Sequence, residues 1–377
     1  MTHVLCYKQE ENDDSNCPWR GWKHEAQRKM KRAVKAEPGR VSIREKVQAS
    51  IGQAVSGRRL HMLLLMLFLV NFFICAPGSV AAAGTYENPV LVETFHNAEM
   101  GTIGIGDPDV IYYDGTYYLY PTGDNHGCDV YISGDLVHWK KGPRVFRSRE
   151  PHVWAPDVLF NPSDGRFYLY YTADKRIGVA VSDRPDAAFT DKGVLRENAI
   201  DADMYLDDDG KYYLYYVELP GFRIFVQPME SPLRKKGRPL ELIGPTERWE
   251  MKHRSITEAP WMLKHRGTYY LLYSGGSPDS ADYAIGYATA ESPLGPFSKY
   301  RGNPIMKQHN GVFGPGHCAV IKTPDGKLWM VYHQKKDASR GWDRIICIDR
   351  LWFDEKGVLH GEATRGTPQT APFTSGK

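Results

Sequence analysis

The sequence predicts an all-β chain folded as a five-bladed β-propeller, and three observations lead there. A hairpin-like unit recurs, in which an extended run, a tight turn at glycine and a tyrosine-rich or aliphatic run follow a short polar lead. The unit stands at YYDGTYYLY (Gly115), NPSDGRFYLYY (Gly165), LDDDGKYYLYY (Gly210), LKHRGTYYLLYS (Gly267) and TPDGKLWMVY (Gly326), at intervals of 50, 45, 57 and 59 residues. Between the units there is no convincing helical periodicity. Strand-built repeats of this size are small sheets that cannot bury both faces alone, and a ring of such sheets buries them against one another. A β-sandwich of similar hairpins is the competing architecture.

Residues 1–61 differ from everything downstream. They carry 13 Lys and Arg against 7 Asp and Glu, with few large apolar residues, and are expected to be a disordered basic lead. The native product is expected to start downstream of Met1. Arg58 and Arg59 then precede a 14-residue apolar run, MLLLMLFLVNFFIC, and APGSVAAAG follows it. A positive region, an apolar core and a small-residue exit make residues 62–83 a secretory signal, with an uncleaved anchor as the alternative. The run is short for a membrane span, which needs about 20 apolar residues. The chain is therefore expected to be exported, and to meet a membrane only if this segment stays uncleaved.

Residues 62–377 hold 35 basic against 38 acidic side chains, so the basic balance of the whole chain belongs to the lead. Nothing there reads as a phosphate-tracking surface, which excludes nucleic acid as the expected partner. Of six cysteines, Cys128, Cys318 and Cys347 lie beyond the apolar segment. Three cannot all pair internally, and no Cys/His spacing suggests zinc, so buried thiols are expected, or one disulfide after export. Strand-like runs at 129–133, 176–182, 222–227, 283–290 and 344–353 give each repeat at least three strands. With no composition break after Gly84, residues 84–377 read as one domain.

A polar residue leads each unit at nearly constant distance from its glycine: Asp107 and Asp157 at eight residues, Asp201, Glu258 and His317 at nine. This spacing is expected to place the five at equivalent positions around one mouth. Carboxylates gathered there oppose one another's ionisation, which chemistry can use.

GDPDVIYYDGTYYLY, HVWAPDVLF, AIDADMYLDDDGKYYLYY and ITEAPWMLKHRGTYYLLYS resemble successive blades of glycoside hydrolase family 43, over Tyr86 to about Leu359. The resemblance implies a five-bladed propeller that hydrolyses glycosidic bonds with inversion, on arabinan, xylan, galactan side chains or oligosaccharides. It implies Asp107 as general base, Glu258 as general acid, and Asp201 as the carboxylate that orients the acid and raises its pKa. Ala202 departs from the family, which more often has proline there. Inverting hydrolysis needs such a pair: one acid protonates the leaving oxygen while one carboxylate activates water on the opposite face. Trp154, Asp157, His317, Phe313 and Arg344 are candidate substrate-binding residues, with a structural role equally open for Asp157. His317 matches a histidine that in many relatives stands near a calcium or sodium ion, through water; no cofactor is otherwise expected. The rival readings are a sugar-binding propeller without turnover and a membrane-tethered interaction platform.

Overall fold

The structure, a computed structural model, describes residues 84–97 and 100–373. The basic lead and the apolar signal or anchor segment lie outside the described residues. The described chain is built of strands, and five antiparallel sheets follow one another in sequence. Their inner strands are Gly106–Tyr113, Trp154–Asn161, Ala199–Leu206, Thr257–His265 and Gly316–Lys322. Each inner strand packs against the next, and the fifth returns to the first, closing a five-bladed propeller.

Within a blade the chain meanders outward. Blade 1 runs Gly106–Tyr113, Thr116–Thr122, Gly127–Ser133 and Lys140–Arg147. The first hairpin of every blade turns at the glycine that marked the repeat: Gly115, Gly165, Gly210, Gly267 and Gly326 all have positive φ, which only glycine adopts without penalty. The tyrosines of the second strands tie blades together. Tyr120, Tyr170 and Tyr215 are buried and donate their hydroxyls at 2.8–2.9 Å to the carbonyls of Pro185, Pro232 and Pro293 in the following blade. At these three positions the ring fills the seam between blades while its hydroxyl finds a partner there.

The two ends of the described chain meet at blade 5. Thr85–Tyr86 pairs with Gln369–Thr370, and Asn88 Nδ2 donates to the Ile348 carbonyl at 2.8 Å. Cys128, Cys318 and Cys347 are buried free thiols, so the alternative of a disulfide is not realised among them.

Every inner strand carries a bulge near its start, and the bulge residue has positive φ: Asp107, Ala155, Asp201, Ala259 and His317. These five are the structurally equivalent positions. The expectation drawn from distance to the turn glycine is corrected at two of them. Asp157 lies two residues beyond its bulge, and Glu258 one residue before its own, because the hairpins differ in length between bulge and turn.

Candidate active site

The backbone N–H of each bulge residue is caught by a side chain from the preceding blade. Thr122 Oγ1 accepts from Ala155 (2.8 Å), Thr172 Oγ1 from Asp201 (3.2 Å), Ser274 Oγ from His317 (2.8 Å) and His333 Nδ1 from Asp107 (3.1 Å). Blade 3 offers Val217 at the matching place, and Asp201 Oδ2 takes over by accepting from Ala259 at 3.1 Å. A buried donor left without a partner costs about 1–3 kcal/mol, so these catches fix the mouth of the propeller.

Above this ring lies a cavity of about 260 Å³, lined by Asp107, Asp201, Glu258, Trp154, His317 and Arg344 among others. Six residues singled out in the sequence thus converge. Two do not: Phe313 is outside the lining, its carbonyl accepting from the Lys335 N–H, and Asp157 is buried below it, its Oδ2 accepting from the Met204 N–H at 2.9 Å. Asp157 repeats a structural motif. Asp109 accepts likewise from Val158 and Asp203 from Met262, each carboxyl holding the next blade's inner strand.

The environments of the cavity carboxyls differ sharply. Burial alone would push Asp107 up, but the Arg344 guanidinium, with Nη1 2.6 Å from Oδ1, and then His317, with Nδ1 at 3.3 Å, hold it well below the usual carboxylate range. His333 Nδ1 also lies 3.3 Å from Oδ1. That nitrogen accepts from the Asp107 N–H, so it carries no proton to donate, and burial keeps His333 neutral by lowering its pKa to about 4. The depression of Asp107 therefore rests on Arg344 and His317.

Glu258 is displaced the other way. Burial raises it to about 7 against a hydrogen bond from Tyr283 Oη (2.8 Å), which favours the ionised form, with the Asp107 charge adding to the rise. Asp201 is also pushed up to about 7, first by burial, with His317 opposing and Glu258 reinforcing.

Two glycines make room for these partners. A Cβ on Gly106 would stand 2.3 Å from Arg344 Cζ, and one on Gly316 would stand 1.9 Å from the Tyr283 ring. Tyr283, His333 and Arg254 were not singled out from the sequence. The signal for His333 was that it lies near the end of the second strand of its unit, as Thr122, Thr172 and Ser274 do in theirs.

Among the described residues no three His, Cys, Asp or Glu side chains are grouped as metal ligands. The carboxylate beside His317 is already engaged by Arg344. Side-chain ligation of a calcium or sodium ion does not fit this donor set, and no chemical step depends on such an ion.

One carboxyl kept ionised and another kept protonated in a single cavity is the equipment of a glycosidase that works by acid and base. The comparisons make the class specific. The chain belongs to glycosyl hydrolases family 43, whose sequence model matches residues 102–359, and it is a glycoside hydrolase of this inverting family. It is 30% identical over 289 residues to a β-D-galactofuranosidase, xynD, of Aspergillus niger, covering 67% of this chain and 81% of the relative. It is 30% identical over 324 residues to xylosidase/arabinosidase 43A of Humicola insolens, covering 67% and 95%. A crystal structure of a thermostable family-43 glycoside hydrolase superposes with a TM-score of 0.70 at 36% identity, covering 77% of this chain and 100% of that one. Several further relatives are named extracellular.

Proposed function

We propose that the protein is an exported glycosidase that releases pentose or galactose residues from polysaccharide side chains and oligosaccharides, with Asp107 as general base and Glu258 as general acid. The observation that carries the assignment is the meeting in one cavity of Asp107, paired with Arg344, and a buried Glu258 bonded by Tyr283, while Asp201 spends its Oδ2 on the Ala259 N–H. Asp107, ionised, takes a proton from a water that attacks the anomeric carbon. Glu258, protonated, delivers its proton to the departing glycosidic oxygen, and the anomeric configuration inverts. Asp201 is a positioning residue: its Oδ2 holds the N–H of Ala259, the peptide unit that follows the acid.

Trp154, whose Nε1 donates to Asn125 Oδ1 at 3.2 Å, offers an aromatic face to a sugar ring. The activities for which the relatives are named, xylosidase, arabinosidase and galactofuranosidase, support the sugar class. Those named extracellular, together with the apolar segment before residue 84, support export.

The test is hydrolysis of β-xylosides, α-arabinofuranosides, β-galactosides and galactofuranosides, with the product anomer read by NMR at early times. Glu258→Ala should lose natural oligosaccharides yet keep substrates with good leaving groups, and Asp107→Ala should lose both. Retention of configuration, or full activity in either variant, would overturn the assignment.

A further inference from the structure

Two cations of the cavity wall, Lys175 and Arg254, belong to none of the interactions described above. Neither forms an ion pair among the described residues. Asp174 beside Lys175 and the loop acids Asp279 and Asp282 are committed elsewhere, while Glu258, four residues from Arg254, feels its charge at longer range, which favours the ionised acid. Arg176 engages Glu150 at 3.2 Å and Asp174 at 3.8 Å. Asp282 is held by Lys252 at 2.6 Å and His253 at 3.1 Å, and Asp279 by Arg340 at 3.3 Å. The acidic residues lining the cavity are Asp107, Asp201 and Glu258. The first is neutralised by Arg344, and burial favours the uncharged forms of the other two. The mouth therefore carries excess positive charge on a domain whose own balance is slightly acidic.

The backbone is built to present these charges. Asp174 and Lys175 form the two-residue turn between Arg166–Ala173 and Arg176–Ser182, both with positive φ (48° and 60°). Such turns favour Asn-Gly or Asp-Gly, because glycine takes the left-handed conformation without strain. Here a lysine stands in the glycine position, its carbonyl accepting from the Ala199 N–H at 2.9 Å, which fixes it against blade 3. Arg254 lies over the Phe222 ring at 5.4 Å, and both line the cavity. Asn198, Leu219 and Phe222 link the two positions along the blade 3 wall: the Leu219 N–H donates to Asn198 and the Thr257 N–H to Phe222. Strain that persists at a ligand-facing position points to a role for the side chain held there.

We infer that Lys175 and Arg254 form a subsite for an anionic substituent, a uronate carboxylate or a sulfate ester, on the glycan that the enzyme hydrolyses. The inference rests on the glycosidase reading and narrows its substrate class. A planar guanidinium takes a carboxylate or sulfate through paired donors, and the lysine adds a mobile second charge. Low-dielectric walls strengthen both attractions relative to open water.

The experiment compares kcat/KM for a xylo-oligosaccharide with and without a glucuronate branch, and for a galacto-oligosaccharide with and without a sulfate ester. The enzyme is the domain with its native N-terminus. Expected is a preference of tenfold or more for one charged member over its neutral counterpart, eroded by salt. Lys175→Gln and Arg254→Gln should each reduce that ratio at least threefold, and Lys175→Gly should do so while relieving the turn. Which pair shows the preference separates carboxylate from sulfate. Equal or better kcat/KM for the neutral members of both pairs, or ratios unmoved in the variants, would overturn the subsite. If no member is cleaved, the xylose and galactose readings of the substrate fail on their own. Calorimetric Kd for the same pairs then decides the subsite: selective binding of a charged member, lost in the variants, upholds it, and equal Kd refutes it.

Discussion

Arg344 Nη1 lies 2.6 Å from Asp107 Oδ1, although 237 residues separate them in the chain. The contact joins the fifth blade to the first and fixes the charge of the carboxyl that faces the cavity. Arg344→Gln should let burial dominate at Asp107. A base works ionised, so the acidic limb of the kcat/KM profile should move to higher pH, and activity at pH 5 should fall by about 10²-fold or more. Asp107 is a depressed group, stabilising above the unfolded carboxyl pKa and less so as pH falls through its folded value. The variant should therefore also lose stability near neutrality, by about 3–5 kcal/mol for a broken buried pair, read as a denaturation midpoint.

The alkaline limb should report Glu258, whose carboxyl is pushed up to about 7. An acid works protonated, so kcat/KM should decline above neutral pH. Tyr283→Phe removes a hydrogen bond that favours the ionised form. The limb should then shift upward by about one pH unit, the equivalent of about 1.4 kcal/mol. A downward shift would mean that Tyr283 stabilises the protonated acid instead.

Below the cavity, Asp109, Asp157 and Asp203 form a buried set. Burial raises all three, Asp109 to about 7, and the charges of Asp109 and Asp203 raise Asp157 further. Groups raised on folding contribute stability below the unfolded pKa, near 4, and lose it as pH rises through the folded value. Asp157→Asn keeps an oxygen for the Met204 N–H and removes the titration. Its melting temperature should match the parent near pH 4 and exceed it by a few degrees at pH 8. Differential scanning calorimetry across this window checks the crossover.

Ala155 sits at φ 43° without contributing a functional side chain to the ring. Ala155→Gly removes the left-handed penalty of about 1 kcal/mol but adds unfolded-chain entropy, so it should be neutral to slightly stabilising. Ala155→Val should destabilise by about 1–3 kcal/mol, read from urea unfolding.

The architecture was legible because its punctuation is local. Gly115, Gly165, Gly210, Gly267 and Gly326 each sit in a turn that needs positive φ, and the adjoining tyrosines declare strands. The carboxyls Asp107, Asp201 and Glu258 were legible through their motifs, but their geometric equivalence was not. A bulge inserts residues between turn and mouth in different registers, so Asp157 matched in distance while Ala155 matches in space. Phe313 precedes the inner strand of blade 5 and lies outside the cavity lining, a placement set by the loop before Gly316 rather than by any spacing. His333, Lys175 and Arg254 meet neighbouring blades, and Tyr283 reaches Glu258 across its own blade from 25 residues on; separations of that kind leave no spacing to read.

The five left-handed positions at the mouth amount to a mount with interchangeable fittings. Because the backbone is already kinked and its N–H already caught at each, the side chain fitted there can change without rebuilding the ring, except at Asp201, whose own carboxyl makes the catch at Ala259. Asp107, Asp201 and His317 occupy three mounts; Ala155 and Ala259 fill the others with a methyl group. Exchange of fittings among mounts is thus a route by which one propeller can turn its chemistry to a differently shaped sugar. It leaves the tyrosine ties between blades, and hence the body of the fold, as they were.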